Sequence, residues 1–157
     1  MQGLEVAPGD LLVTTYNAAC AARAALWMKD RARMAEALNK VDGVQVRGGW
    51  VDTMRQTLHA GLLALEGRAD EAAQRYVAAG KGWRELEAWF QLALSQFDFA
   101  ATIGTNHPDA KAAADEARQI FTRLGAKPML ARLEKIGTST LPSPASGQGK
   151  STGSYSR

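Results

Sequence analysis

The chain has 157 residues, which is enough for one domain with a buried core. Its formal net charge is +3, and basic residues alternate with acidic ones along the chain, so we expect no direct binding of nucleic acid. No apolar run approaches the roughly 20 residues of a membrane span, and the N-terminus has no secretory signal, so a cytoplasmic protein without a membrane partner is expected. Cys20 is the single cysteine, which excludes an internal disulfide, and its alanine-rich surroundings predict a small buried side chain.

Helix is the secondary structure that the composition favours. Alanine and leucine are frequent, and no run of six residues alternates cleanly between apolar and polar β-formers, so we predict an all-α fold. Pro8-Gly9-Asp10 is predicted to form a turn that ends in an N-cap, and the first helix follows it to about Met28. Asp30 is placed to cap a second helix that runs to about Val41. The predicted inward stripe of the first helix is Leu12, Tyr16, Ala19, Arg23 and Trp27.

The middle of the chain predicts three more helices. The third covers about 50–65, and Asp70 is expected to cap the fourth over 71–79. Gly80 and Gly82 are expected to separate the fourth helix from a longer fifth one. The predicted apolar stripe of the fifth helix is Trp83, Leu86, Phe90, Leu94, Phe97 and Ala101.

Two further helices are predicted near the C-terminus. Pro108 suits the first position of a sixth helix, which should reach Leu124 and end at Gly125 in a left-handed conformation. A short seventh helix is predicted over 128–136. Serine, glycine, proline and threonine dominate the rest, a composition that cannot bury enough apolar surface to order itself. The predicted limits are 1–7 for a flexible N-terminus, 8–136 for the helical domain and 137–157 for a disordered tail.

One apolar pattern occurs three times along the chain. Its copies are Met34, Leu38 and Val41; Ala72, Tyr76 and Ala79, which lie 38 residues later; and Ala117, Phe121 and Leu124, a further 45 residues on. Positions i, i+4 and i+7 form one stripe on a helix. The repeat therefore predicts six to seven helices in stacked antiparallel hairpins, with Tyr76 and Phe121 wedged at equivalent places.

The segment 60–79 resembles a tetratricopeptide repeat. The matching positions are Ala60, Leu63, Gly67, Ala72, Tyr76 and Ala79. Arg84 stands where the family has proline, and the other two units have longer connections than the family's 34-residue period. The resemblance implies a short superhelix that is noncatalytic and binds a protein segment or a small effector.

A second resemblance covers more of the chain. Residues 116–126, followed by a short helix, resemble the closing hairpin of large bacterial regulators, and the turn at 67–72 is common in them. In these proteins, which include LuxR-type transcription regulators and nucleotide-cyclase-linked ATPases, a helical-repeat region follows an ATPase module. The resemblance implies a sensor or interaction region for signal transduction.

Candidate partner-binding residues come from this resemblance and from the four tryptophans. Exposed tryptophan is favoured at recognition surfaces, although the same rings can instead plug the space between helices. The first helix of each pair lines the concave face in such arrays. The predicted partner-binding residues are Met54, Arg55, Thr57, Trp83, Trp89 and Phe90. Some relatives grip a peptide carboxylate with lysine and asparagine, which Thr57 and Gly61 cannot replace.

Other motifs lack the context that their chemistry needs. The stretch 149–152 superficially suggests a phosphate loop, but Pro144 stands where glycine is required, so we expect no nucleotide there. His107-Pro108-Asp109 resembles the loop of J-domain cochaperones, yet 97–104 before it carries no basic residue, and a helix start is expected instead. No cluster has metal-ligand spacing, so neither a metal nor a cofactor is expected.

Three alternatives to a binding module are left open by the sequence. The first is a scaffold for self-association, which would make the protein a homo-oligomer. The second is an enzyme with an unrecognised helical active site, for which a pocket with convergent titratable groups would be the signature. The third is a J-like cochaperone that acts on Hsp70.

Overall fold

The computed structural model describes residues 8–138, and all regular structure within them is helical, as predicted. The seven helices are α1 (Pro8–Trp27), α2 (Arg31–Gly43), α3 (Gly49–Leu65), α4 (Ala69–Glu85), α5 (Trp89–Ile103), α6 (Pro108–Arg123) and α7 (Lys127–Thr138). None of these helices is long and apolar enough to cross a membrane. The predicted flexible N-terminus and the stretch 139–157, with its rejected phosphate loop, lie outside the described residues.

The helices form three hairpins and a closing helix. α1 pairs with α2, α3 with α4, and α5 with α6, while α7 packs on α5 and α6. The short connections make the two helices of each pair antiparallel. Successive hairpins stack through contacts of α2 with α3 and of α4 with α5. The first helices α1, α3 and α5 also touch in series, so they build one continuous face of the array.

The structural repeat has a period of 38 residues. α1, α3 and α5 end at Trp27, Leu65 and Ile103, which are spaced by this period. Buried positions of the second helices recur at the same spacing: Met34, Ala72 and Ala110; Leu38, Tyr76 and Ala114; and Val41, Ala79 and Ala117. The prediction of stacked hairpins is therefore confirmed for the described residues.

The predicted equivalence of Tyr76 and Phe121 is wrong. Both rings are fully buried, but Phe121 lies 38 residues after Trp83, which is also fully buried, and it is Ala114 that corresponds to Tyr76. The spacing of 45 differs from the true period by seven residues, or two helical turns. A shift of two turns keeps a residue on the same face of the helix. The predicted apolar stripe was therefore on the correct face, although the spacing was wrong. Leu124 was expected to be inward in this scheme and is exposed.

Helix α4 continues through the predicted break at 80–82 and includes Trp83. A Cβ on Gly82 would lie 2.8 Å from Oγ1 of Thr53, so this glycine allows α4 to approach α3 closely. That contact offsets the cost of about 1 kcal/mol for glycine inside a helix. The chain turns instead after α4, where Glu87 has a φ of 52°. α5 consequently begins later than predicted.

Local signals at helix ends gave mixed results. Asp30 caps α2 as predicted, because its Oδ1 accepts a hydrogen bond of 3.0 Å from the backbone N–H of Arg33. Pro108 starts α6, and Gly125 has a φ of 67°, both as expected. Asp10 and Asp70 do not cap their helices as predicted. α1 already begins at Pro8 and α4 at Ala69, so both carboxylates lie in a first turn, where their charge interacts favourably with the helix dipole.

The inward face of α1 differs from the predicted stripe. Leu12, Tyr16 and Trp27 are 52%, 50% and 38% exposed, and Cys20 is exposed rather than buried. The buried residues of α1 are Thr15, Ala19, Ala22, Ala25 and Leu26. Small side chains on this face let α1 approach α2 and α3 closely, which leaves the large rings at the edge.

Candidate functional site

A groove runs along the face that α1, α3 and α5 build. Its first cavity, of about 250 Å³, is lined mainly by apolar side chains: Tyr16, Ala19, Ala24, Trp27, Trp50, Met54, Leu58, Phe90 and Leu94, together with Cys20, Arg23 and Gln91. A second cavity, of about 500 Å³, lies beside α7 and is lined by residues that include Leu65, Phe97, Arg132 and Ile136. Trp27 lines both cavities, so they adjoin at this ring, and we call the pair the first-helix groove.

Aromatic rings in contact with one another form the wall of the groove. The ring centroids of Tyr16 and Trp50 are 6.4 Å apart, and Trp50 meets the buried ring of Trp83 edge-on at 5.6 Å. At the other end, Trp27 meets Phe97 edge-on at 5.6 Å. Edge-to-face pairs at these distances are favourable, so the wall is held in place before any ligand arrives.

The buried carboxylate of Asp98, in the middle of α5, supports this wall. Arg23 Nε donates a hydrogen bond of 2.8 Å to one of its oxygens, and Trp27 Nε1 donates one of 2.7 Å to the other. Burial raises the pKa of the Asp98 carboxyl, and the charge of Arg23 opposes that rise. Asp98 thereby orients two side chains of α1 that line the groove.

Arg132 of α7 lines the second cavity of the first-helix groove. Its guanidinium carbon lies 4.9 Å from the ring centroid of Trp27, within the range of a cation–π contact. Sequence reasoning missed both Arg132 and Asp98. A signal existed for Asp98, since it is the single charged residue of an otherwise apolar helix, and such a residue is usually paired when buried. No pattern in the sequence indicates that Arg132 contacts α1.

Of the six predicted partner-binding residues, two line the first-helix groove and a third is exposed elsewhere. Met54 and Phe90 line the first cavity. Trp89 is exposed but lies outside both cavities, with the guanidinium of Arg123 5.5 Å from its ring centroid. The structure therefore brings Met54 and Phe90 together and leaves Trp89 apart.

The other three predicted residues lie in the interior, which corrects their placement on a partner surface. Arg55 donates hydrogen bonds to the carbonyl oxygens of Val41, Val44 and Val46, at 3.1, 2.6 and 2.9 Å, and so holds the end of α2 and the loop after it. Thr57 accepts a hydrogen bond of 2.9 Å from Trp83 Nε1, which joins α3 to α4. These buried contacts stabilise the fold and are out of reach of a partner.

A larger and more open groove of about 580 Å³ lies between α4 and α6. Its charged groups bind each other: Arg84 Nη2 lies 2.6 Å from Glu116 Oε2, and Gln96 donates to the same carboxylate. These polar groups are already satisfied, and little aromatic surface is offered. The first-helix groove is the better candidate for a binding site.

The polar motif at 107–109 lies at the start of a helix. His107 precedes the first residue of α6, and its ring centroid lies 6.2 Å from that of Phe99. The helix before it, α5, is largely buried, so it presents no basic surface next to this loop. Within residues 8–138, no group of three or more histidine, cysteine, aspartate or glutamate side chains is placed to hold a metal ion.

No family model, curated protein or solved structure matches the chain. The large rings and the preorganised wall of the first-helix groove are features of a site that can take up apolar groups.

Proposed function

We propose that the protein is a noncatalytic helical-repeat domain that binds an apolar segment of a partner protein in the first-helix groove. The observation that carries the proposal is the pair of adjoining cavities walled by aromatic rings from α1, α3 and α5. Large rigid rings give much contact area and lose little conformational freedom on binding. This is the surface that the tetratricopeptide resemblance implies for partner contact.

The small size of the first cavity and the position of the second beside it suit a protein segment. Pockets for drug-sized ligands usually exceed about 300 Å³, and a cavity of about 150 Å³ is enough for benzene. The first cavity, at about 250 Å³, therefore suits one large side chain. The second cavity continues along the same face and offers a place for another anchor. Two anchors spaced along a groove are typical of a bound helix or extended peptide.

The charges of the lining indicate which end of the segment is acidic. Lys29 and Arg132 line the second cavity, and no carboxylate lines either cavity among the described residues. A carboxylate on the segment would meet these cations at the α7 end, while apolar side chains occupy the end near Trp50 and Phe90. The same lining offers neither a carboxylate nor an imidazole for acid–base chemistry, which supports a binding role for this groove.

A wider regulatory role is part of the proposal but is supported by the resemblance alone. The turn at 67–72 connects α3 to α4, and 116–126 connects the end of α6 to α7. If these matches reflect ancestry, the domain serves as the sensor or interaction region of a larger bacterial regulator.

Peptide selection tests the groove directly. A phage-displayed library of random linear peptides is selected on the full chain, and the enriched peptides are titrated by isothermal calorimetry against variants. Phe90→Glu places a charge in the first cavity and should weaken binding at least about 10-fold. Leu124→Glu is the matched control, because Leu124 is exposed to nearly the same extent (48% against 47%) and lies outside both cavities.

Circular dichroism and thermal melting establish that both variants are folded before the titrations are compared. Enriched peptides that contain large apolar residues, bind the control and lose affinity for Phe90→Glu support the proposal. Equal affinity for the two variants, or enrichment of no peptide, would overturn it.

A further inference from the structure

The exposed side of α1 is apolar along almost its whole length. This helix has 20 residues, of which Asp10 and Arg23 are the charged ones, and Arg23 is paired with the buried Asp98. Val13 and Met28 are each 60% exposed. A surface helix normally carries charged residues on its outer face, and a helix that is apolar all round is usually buried. This side of α1 is therefore a surface that another helix can cover.

The exposed residues follow the spacing of a helix–helix contact. Val13, Asn17, Cys20, Ala24 and Met28 are separated by four, three, four and four residues, so they lie in one row, which we call the α1 seam. The two largest apolar side chains are at its ends, and the smaller ones are in its middle.

We propose that the α1 seam pairs with the same seam of a second copy of this chain, in antiparallel orientation, about a two-fold axis near Cys20. In this arrangement Val13 faces Met28 of the second copy, and Asn17 faces its Ala24. Two crossing helices are closest at the crossing point and diverge away from it. Small residues at the centre and large ones at the ends therefore match the shape of the gap.

A cavity beside the seam suits the same occupant. It has a volume of about 330 Å³, lies between α1 and α2, and is lined by alanines and Met28. Arg33, Glu36 and Lys40 lie at its edge, and Lys40 Nζ is already 2.9 Å from Glu36 Oε1. Arg33 Nε lies 3.4 Å from Asp30 Oδ2, so each cation at this edge has a carboxylate partner in its own chain and two identical surfaces can meet without strong repulsion.

The surface area that α1 offers limits how tightly two copies can bind. A helix of 20 residues is about 30 Å long and about 10 Å wide. Pairing along α1, with the edge of α2, would bury on the order of 1,000 Å² in total, which is at the low end for a specific interface. An interface of this size is typical of weak, reversible pairing, so the dimer should exchange with the single chain on dilution.

The experiment combines mass measurement with cross-linking of the sole cysteine. Sedimentation velocity of the full chain under reducing conditions should show twice the chain mass at high concentration and the single mass on dilution. Oxidation by copper(II)–phenanthroline should then link Cys20 of the two copies, because the two thiols give up two protons and two electrons to the oxidant. Cys20→Ser should keep the double mass and lose the covalent dimer.

Two matched variants locate the interface. Met28→Glu places a charge on the seam, lines neither cavity of the first-helix groove, and should shift the dissociation constant at least about 10-fold towards the single chain. Val77→Glu changes a similarly exposed residue on α4 and should leave the equilibrium unchanged. A single-chain mass at all concentrations, which would indicate a different occupant, overturns the proposal. So does a dimer that Met28→Glu leaves intact. Cys20 and Ala24 belong both to the seam and to the lining of the first cavity, whereas Met28 belongs to the seam alone. Peptide binding by Met28→Glu therefore distinguishes failure of this proposal from failure of the groove.

Discussion

Replacing Asp98 by alanine should destabilise the domain more than any change on its surface. The substitution leaves the guanidinium of Arg23, whose side chain is 16% exposed, without its counter-charge, and it leaves Trp27 Nε1 without its acceptor. Removing one partner of a buried ion pair typically costs about 3–5 kcal/mol, since the remaining charge is stranded. Because Arg23 still reaches some solvent, we expect the low end, about 3 kcal/mol in the free energy of unfolding.

Urea unfolding followed by circular dichroism measures this loss, with Asp98→Asn as the control. The amide keeps an acceptor for the indole N–H of Trp27, but it removes the charge and replaces the oxygen that accepts from Arg23 by an NH2 group. It should cost about 1–2 kcal/mol, less than the loss of both acceptors in Asp98→Ala. A loss below about 1 kcal/mol for Asp98→Ala would refute the view that this carboxylate holds the edge of the groove.

The pH dependence of stability gives a second, independent test of Asp98. Burial raises the pKa of its carboxyl in the folded state above the unfolded value, so the folded state retains the proton to higher pH. The wild type should therefore lose stability relative to Asp98→Asn as pH rises from the unfolded pKa, near 4, through the raised folded pKa. A wild type that gains on the variant over this range would mean that Arg23 outweighs burial.

Three further substitutions test the packing that positions the groove. Gly82→Ala should destabilise by about 1–2 kcal/mol because its Cβ meets the Thr53 side chain, whereas Gly43→Ala, with nothing within 4 Å, should be neutral or slightly stabilising; chemical denaturation compares them. Arg55→Met should cost about 2–3 kcal/mol and speed amide exchange at the end of α2, and unchanged exchange would contradict the bonds assigned to it. Trp83→Phe should cost about 1–2 kcal/mol through loss of its buried hydrogen bond, and thermal melting at unchanged stability would argue against that bond.

Several helix ends that a single local interaction determines were predicted correctly, although Asp70 lies inside α4 and not at its cap. Asp30 and Pro108 mark helix starts, and Gly125 marks a helix end, because each acts through backbone groups within one turn of itself. Prediction from the sequence failed where a contact with a distant part of the chain determines the structure. Gly82 resembles a break in the sequence, and only the approach of α3 explains why the helix continues through it.

The candidate site was only partly predictable for the same reason. The aromatic residues Trp50 and Phe90 could be found by composition and position, but their joint contribution to one groove depends on how α1, α3 and α5 stack. The sequence pattern fixes the face of a helix and leaves its register uncertain by whole turns. This uncertainty explains the misplaced equivalence of Tyr76 and Phe121, and it also hid the contact of Arg132 with Trp27.

The indole N–H signals of the four tryptophans provide the most direct measurement of the central claim. A selected peptide is titrated into the isotope-labelled protein and followed by two-dimensional NMR. Trp27 and Trp50 line the first-helix groove, while Trp89 lies outside it. Binding in the groove predicts saturable shifts of the Trp27 and Trp50 signals with Trp89 unchanged. A peptide that binds and shifts Trp89 alone, or no tryptophan signal, would contradict the account.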